Sequence, residues 1–502
     1  MDLFSVKQSR EFDAKTIESG SDSGYEMMKR AGRHLADIAL EILSGNIDGK
    51  GTVHIFCGNG NNGGDGICAF NVLKEAEIPV ELFVPSGKFS KDAERALKEA
   101  SRYKDSIHPI DEANEWPEPD VAMDALLGTG INRPVSEEMD RLIRAINALH
   151  STVISADIPS GINGDSGQIC GNAVKADITV TFQKSKPGLY LFPAKEHVGK
   201  ILVREVTEDT GIVESTSRLI DFDYVREVIP EMKRNCHKGD NGRLLILGGS
   251  KNYSGAAVLC SRAALRTGSG LVYAGIPGSI SARFAAAPQI IVHPLDDDGL
   301  GIWTENCCYE AAGLIAGKNA ICAGPGMGEV ADSGLFEKIL SSGVPVVLDA
   351  DALNHLSRHR VLMSLLHKDV VLTPHIGEMS RLTGLSSETI QSDIPGICRS
   401  YASEWNCIVL LKSSVSCISD GVYTAINDSG NSGLAKGGSG DILCGIVGSL
   451  MGQGISSFEA ACAGAFLLGT TADKAFELLK ERMLTADDVL SALVPELDCP
   501  GI

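Results

Sequence analysis

Short apolar runs alternate with amphipathic ones twice along the chain, and this alternation limits the fold more than any other feature. In the first stretch "GTVHIFCG", "IPVELFVP", "VAMDALLG", "TVISADIPSG", "ADITVTFQ" and "KILVREV" read as strands. "DGICAFNVLKEA", "SKDAERALKEAS" and "SEEMDRLIRAINAL" between them read as helices. Ahead of them, "GYEMMKRAGRHLADIALEIL" places Met27, Ala31, Leu35, Ile38 and Ile42 on one helical face. The alternation resumes at Arg243, with "RLLILGGS", "LVYAGIP", "AICAGPG", "VPVVLDADAL" and "DVVLTPH" as strand-to-loop units. "CIVLLKSSVSCISDGVYTAI" reads as paired strands, and two nearly apolar helices follow it. Strands that alternate with helices form mostly parallel sheets covered on both faces. The expectation is α/β: two three-layer α/β/α domains, over 1–206 and 237–502, with the more polar 207–236 as linker and lead-in.

The length of 502 residues suits two domains of this kind, and 43% hydrophobic residues fill two cores. The formal net charge is -20. Such a surface repels phosphate backbones and anionic lipids, so neither nucleic acid nor membrane is an expected partner. The 14 cysteines include no C-x-x-C pair, and many lie in apolar runs, as expected of reduced core residues in a cytoplasmic protein. The charged N-terminus contains no signal-peptide core, and no apolar run reaches membrane-spanning length.

A parallel sheet offers ligand sites at the carboxyl ends of its strands. Four loops rich in Gly, Asn, Asp and Ser fall there: "CGNGNNGGDG", "DALLGTGINRP", "ADIPSGINGDSG" and "FQKSKPGLY". Glycine admits a phosphate close to free backbone N–H groups, and Asn and Asp supply hard oxygens suited to a cation. Gly58-x-Gly60-x-x-Gly63 has the spacing of a dinucleotide loop. The second strand, however, ends "LFVPSG" and lacks the acidic residue that grips a ribose, which argues against a hydride-transfer enzyme. Asp157 is a candidate acid/base group, or alternatively a turn cap before Pro159.

In the second stretch, "AKGGSGDILCGIVGSLMGQG" sets a glycine run and Asp441 before a long apolar helix. A helix N-terminus with open N–H groups binds anions, and a carboxylate at its mouth can take a hydroxyl proton. That pairing suits phosphoryl transfer, although Asp441 could instead cap the helix. His375 in "TPHIGE" has both a structural and a functional reading.

The motifs "GNGNNGGDG", "DALLGTG", "SADIPSGINGDSG" and "ADITVTFQKSKPGLY" resemble the NAD(P)H-hydrate epimerase family over about 1–206. The resemblance implies a Rossmann-like fold and a site for hydrated NADH or NADPH. It implies K+ held by Asn62, Asp124 and Ser160, and substrate contacts from Asn61, Asn62, Gly63, Gly64 and Asp65. Further contacts would come from Gly128, Thr129, Gly130, Ile131, Asn132, Arg133 and Pro134, with Asp157 as the acid/base group. From about His237 onward, "CAGPGMG", "VVLDADAL", "LTPHIGEMSRL", "LLKSSVSCISD" and "AKGGSGD" resemble the nucleotide-dependent NAD(P)H-hydrate dehydratases of the ribokinase-like superfamily. That resemblance implies hydrate contacts from Ala257, Gly326, His375 and Asp441, with Asp441 as base. Adenine-nucleotide contacts would come from Lys412, Ser413, Ser414, Val415, Ser416 and Gly440. Mg2+ with ADP or ATP is expected, with Asp349 and Asp351 as candidate ligands. The family places Gly and Pro where this chain has Ser413 and Ile376.

The combined expectation is a bifunctional repair enzyme that exchanges the R and S hydrates and dehydrates the S form. ADP is the expected phosphoryl donor, and an assembly of identical chains is expected. The alternative is a small-alcohol kinase joined to a nucleotide-binding regulatory domain.

Overall fold

The computed structural model describes residues 1–45, 51–110, 117–208, 211–231, 234–480 and 482–493. Residues 209–210 and 232–233 of the lead-in lie outside the described residues. The chain separates into two compact units, Asp2–Ser217 and Arg218–Ile502 with Met1. Among the described residues, no helix is long and apolar enough to cross a membrane.

In the first unit, strands β1 (Val53–Cys57), β2 (Val80–Val84), β3 (Ile107–Pro109), β4 (Val121–Ala125), β5 (Thr152–Ala156), β6 (Ile178–Phe182) and β7 (Lys200–Arg204) form one sheet. Its order is β3-β2-β1-β4-β5-β6-β7, and every pairing is parallel. The chain leaves β1 toward one edge and returns to β4 on the other side, so the topological switch point lies between β1 and β4. All five residues of β1 and of β4 are buried, because both sheet faces are covered.

Helices α1 (Val6–Glu18), α2 (Gly24–Ser44), α3 (Asn61–Glu75), α4 (Lys91–Ala100) and α5 (Glu137–Asn147) complete the unit. Leu35 of α2 and Ile67 and Phe70 of α3 pack with Ile55 and Leu82 on one face. Ile143 and Ile146 of α5 pack with Phe56, Phe83 and Ala122 on the other. α2 and α3 cross closely at Gly32, where an added methyl group would lie 2.4 Å from Cys68 Cβ.

The second unit repeats this logic. Its strands are β8 (Arg243–Leu247), β9 (Leu271–Pro277), β10 (Ile291–Leu295), β11 (Ala320–Ala323), β12 (Val346–Leu348), β13 (Val370–Leu372), β14 (Ile408–Leu411), β15 (Ser416–Ser419) and β16 (Thr424–Asn427). They run in the order β16-β15-β14-β13-β12-β11-β8-β9-β10, parallel except where β14, β15 and β16 pair antiparallel. Alternate residues of one strand face opposite layers: Leu244 and Ile246 join one core cluster, Leu245 and Leu247 the other. The flanking helices that matter for the site are α6 (Ser254–Arg266), α7 (Asp351–Arg358), α8 (Ile376–Thr383), α9 (Ser439–Gly452) and α10 (Ser457–Leu479). Here the switch point lies between β8 and β11.

Candidate functional sites

The first site is a cavity of about 680 Å³ at the carboxyl ends of β1, β4, β5 and β6. Three glycines shape the loop along one side of it. A methyl group on Gly58 would lie 2.0 Å from the Leu126 carbonyl oxygen, and one on Gly63 would lie 1.9 Å from the Gly58 carbonyl oxygen. Nothing lies within 4 Å of one on Gly60. The outer two glycines therefore serve turn and helix packing, and the middle one leaves backbone open to a ligand. α3 starts at Asn61, four residues ahead of the Asp65 expected from sequence, and no side chain caps it. Gly60, Asn61 and Asn62 at its start line the cavity, an arrangement suited to an anion.

The expected ligand residues for K+ meet around the turn after β4. Asp124 is fully buried and accepts hydrogen bonds from Ser155 Oγ (2.8 Å), Ser160 N (2.8 Å), Ser160 Oγ (2.5 Å) and Leu126 N (3.2 Å). Asn62 Nδ2 (3.1 Å) and Ser160 Oγ (3.2 Å) both donate to the Leu127 carbonyl oxygen. Burial pushes the Asp124 carboxyl up, and the hydrogen bonds from Ser160 and Ser155 oppose that shift. The donor set is all oxygen, and an added methyl group on Gly128 would press 3.3 Å against Asn62 Oδ1. Hard oxygens around a buried carboxyl that no cationic side chain among the described residues pairs with fit a hard cation.

Asp157 follows β5 with φ +63, a conformation that turns its side chain toward β6. It does not act as a cap before Pro159. Its Oδ1 accepts from Lys186 Nζ (2.5 Å) and from Thr181 Oγ1 (3.1 Å). Lys186 is 2% exposed and also donates to Thr181 Oγ1 (3.1 Å) and to the Phe182 carbonyl oxygen (3.2 Å). Asp13 and Asp65 line the same cavity. Burial, with Asp157 adding to it, raises Asp13 to about 6, and Lys186 pulls the other way. Burial, Asp157 and Asp13 push Asp65 well above the carboxylate range. Three carboxyls therefore share one buried ammonium, and two of the three hold protons more tightly than usual.

The sequence reading placed Asp65 and Asp157 at the site but missed Asp13 and Lys186. Lys186 stands in the quoted "FQKSKPGLY", where a lysine at a strand end was the available signal. Among the other expected contacts, Gly128, Thr129 and Gly130 line the cavity. Gly63 and Gly64 are buried behind its wall. Ile131, half-buried, and Asn132, Arg133 and Pro134, all exposed, continue from the rim outside helix and strand, tied by Asn163 Nδ2 to the Ile131 carbonyl oxygen (3.1 Å).

The second site is assembled from five loops at one sheet edge. Gly326, after β11, has φ +64 and sits where a methyl group would lie 2.6 Å from the Tyr253 carbonyl oxygen. Ala257 of α6 is fully buried, and a methyl group on Gly249 would lie 3.3 Å from its own. These residues mark the switch point between β8 and β11. Asp349, after β12, is 2% exposed. It accepts from Lys412 Nζ (2.7 Å) and Thr373 Oγ1 (2.7 Å). Asp351 accepts from Gly328 N (2.7 Å). Glu378 lies 4.0 Å from Lys412 Nζ. Asp349 and Glu378 together raise Lys412 against the opposing effect of its burial.

Asp441 is the third residue of α9. The helix is capped by Gly438 at φ +103 with no side-chain bond, so Asp441 does not cap it. Burial, then the Asp349 charge, raise the Asp441 carboxyl to about 7, with Lys412 opposing. A carboxylate poised there is half ionised at neutral pH, the condition for general-base work. A methyl group on Gly440 would lie 3.4 Å from Lys412 Nζ and 3.6 Å from Asp349 Oδ2, so Lys412, Asp349 and the mouth of α9 form one group.

His375 caps α8: its Nδ1 accepts from Gly377 N (3.0 Å) and Glu378 N (3.3 Å), and its Nε2 lies 3.5 Å from Glu378 Oε1. Its structural and functional readings are thus compatible. Ile376 occupies the first helical position of α8, where proline is also at home. Ser413 is not among the non-glycine residues with positive φ. Ser413 and Ser414 are exposed, Ser416 is half-buried, and Val415 is buried beneath them. Thr373 and Glu378 escaped the sequence reading. They hold Lys412 and Asp349 and carried no motif of their own.

Comparison with known proteins agrees with both halves. The family model described as NAD(P)H-hydrate dehydratase matches residues 244–494, and the one described as YjeF-related protein N-terminus matches residues 24–188. The bifunctional NAD(P)H-hydrate repair enzyme of Coxiella burnetii is 34% identical over 98% of this chain and 98% of its own. That of Escherichia coli is 32% identical over 93% of this chain and 91% of its own. Among solved structures, an ADP/ATP-dependent NAD(P)H-hydrate dehydratase from Bacillus subtilis is 25% identical with a TM-score of 0.49, covering 56% of this chain and 97% of that one. The chain belongs to the family of bifunctional NAD(P)H-hydrate repair enzymes.

Proposed function

We propose that this chain returns hydrated NADH and NADPH to their active forms in two steps. The first unit exchanges the R and S hydrates. The second dehydrates the S hydrate at the expense of a nucleotide. The observation that carries the reading is Asp441: a carboxyl raised to about 7 in the first turn of a helix that no side chain caps, beside Lys412.

In the second unit, Asp441 takes the proton of the C6 hydroxyl as that oxygen attacks the terminal phosphoryl group of the nucleotide. The N–H groups of α9 and the Lys412 ammonium receive the phosphate charge. The C6 oxygen, a poor leaving group as hydroxide, then departs as phosphate while C5 loses a proton to solvent, and the C5–C6 double bond of the reduced nicotinamide ring is restored. Asp349 and Asp351 would hold Mg2+, which would supply positive charge to the phosphoryl groups. ADP is the proposed donor, since the bifunctional relatives are bacterial and archaeal.

In the first unit, the open N–H groups at the start of α3 and the 128–130 turn bind the phosphates, and Asp157 moves the proton at the C6 substituent. Lys186 keeps Asp157 oriented. Asp13 and Asp65, with their raised affinity for protons, are the neighbours that pass it one. Asn62, Asp124 and Ser160 would hold K+, which when bound sets a positive charge beside the phosphates. The proposed setting is a reducing cytoplasm, consistent with free cysteines throughout the described residues. The proposed form is an assembly of identical chains.

The test is one reaction. The protein is mixed with racemic hydrate and ADP with Mg2+, and reduced-nicotinamide absorbance is followed. Full recovery is expected. A stop at half removes the epimerase, and no recovery removes the dehydratase. Accumulation of a stable phosphate ester would favour the small-alcohol kinase.

A further inference from the structure

Cys260 of α6, Cys322 of β11 and Cys444 of α9 bring three sulfur atoms within 4.8 Å of one another, and all three residues are fully buried. Glycines in α9 make this convergence possible. A methyl group on Gly448 would lie 2.1 Å from Cys322 Sγ, and one on Gly445 would lie 2.2 Å from the Cys260 carbonyl oxygen. The Cys322 thiol donates to the Cys444 carbonyl oxygen (3.2 Å). Hydrogen bonds within the trio raise one thiol and lower another in turn, while burial raises all three, so each lies well above the usual thiol range. The charged groups acting on them are Asp441 and Asp349, both acidic.

Sulfur donors select soft ions. Charge then decides among those. Three thiolates around a divalent ion leave one buried negative charge, and around a monovalent ion two, beside carboxylates already short of solvent. Three thiolates around a trivalent centre leave none. Among the described residues no fourth ligand joins the group, which excludes the tetrahedral set of a structural zinc site.

We propose that Cys260, Cys322 and Cys444 form a site for a trivalent metalloid, As(III) or Sb(III), taken up from its neutral trihydroxide. Three sulfur–metalloid bonds form and three oxygen–metalloid bonds break. Each thiol proton leaves with a hydroxide as water, and no oxidation state changes. Entry requires α9 to part from α6, so uptake is slow. Cys444 stands three residues past Asp441 in α9, so drawing its sulfur toward the other two displaces the first turn of the helix. Dehydration falls on occupancy and epimer exchange does not.

The experiment uses the full chain, reduced with a phosphine and incubated for hours with arsenite, with excess removed before analysis. The expected result is one arsenic per chain, a mass gain of one arsenic less three hydrogens, and three fewer titratable thiols. Cys260→Ser and Cys444→Ala, each checked for folding by circular dichroism, should bind more than about 100-fold more weakly. That is beyond the cost of losing a mere outer-shell partner. The double variant Cys307→Ser, Cys308→Ser should bind like the unaltered chain. No adduct on the folded chain, undiminished binding in the Cys260 and Cys444 variants, or loss of binding in the Cys307, Cys308 variant would each overturn the proposal. The binding readouts stand apart from the dehydratase reading, which fails or holds on its own assay.

Discussion

Replacing Lys186 with methionine should destabilise the first unit in a way that depends on pH. The side chain is 2% exposed, and its partner Asp157 is 14% exposed. Methionine keeps most of the apolar stem and removes the charge and three hydrogen-bond donors. Breaking a buried pair by deleting one partner costs about 3–5 kcal/mol, because the other charge is left uncompensated. That full cost applies at pH 8, where Asp157, Asp13 and Asp65 would otherwise share no cation. Lys186 lowers the proton affinity of both Asp13 and Asp65, so its loss raises both, taking Asp13 above its value of about 6. A carboxyl raised in the folded state takes up a proton that the unfolded chain has released. Its penalty is absent below the unfolded pKa and grows as pH rises toward the folded one. One such proton corresponds to about 1.4 kcal/mol per pH unit. At pH 5 Asp13 holds its proton with or without Lys186, so its share of the cost is absent and the destabilisation should be smaller than at pH 8. Urea unfolding followed by a probe in the first unit, at both pH values, measures the difference. Adding Asp157→Asn should recover most of the loss at pH 8. Equal destabilisation at pH 5 and pH 8, or no recovery in the double variant, would refute the shared-cation account.

Asp441→Asn should lower the dehydration rate by about 10²–10⁴-fold, the usual worth of a general base, while epimer exchange, followed by chromatography of the hydrates, stays unchanged. In the unaltered chain, dehydratase kcat/KM should rise with pH through about 7, since Asp441 cannot accept a proton below that value. A profile flat from pH 5 to 8 would remove Asp441 from that role. Gly324→Ala should cost the second unit more than about 2 kcal/mol in chemical unfolding, because φ is +121 and the methyl group would lie 1.8 Å from the Asp349 carbonyl oxygen. Ser160→Ala should abolish any response of epimer exchange to K+ over Na+, measured as rate against salt, because it removes a donor oxygen and loosens Asp124.

The central strands were legible because both of their faces are buried, which makes them continuous apolar runs. The edge strands β3 and β10 were not. Each contains a histidine and a proline, His108-Pro109 and His293-Pro294, and an edge position tolerates the missing donor where a central one would not. The start of α3 was misplaced because Asn61, Asn62, Gly63 and Gly64 are poor helix formers, and packing against the sheet and α2 overrides their preference. At the sites, motif residues on strand-end loops were found, and residues that act through them were missed. Lys186 reads as a solvated lysine until the fold closes it over Asp157, 29 positions earlier. Asp13 reaches the cavity from α1, a helix whose own sequence reports nothing of what lies opposite it. Asp441 shows the reverse case: local sequence set it at the mouth of α9 but left a capping role open, and the left-handed Gly438 takes the cap position instead.

The three glycines of the first loop also bear on how such a site changes over evolution. Gly58 and Gly63 are fixed by backbone packing, whatever ligand is present, while Gly60, Asn61 and Asn62 face open space or the cavity. Drift in ligand preference can therefore proceed at the second group while the first stays invariant. The spacing by which the loop is recognised is inherited with the architecture, and chemistry diverges between its fixed points.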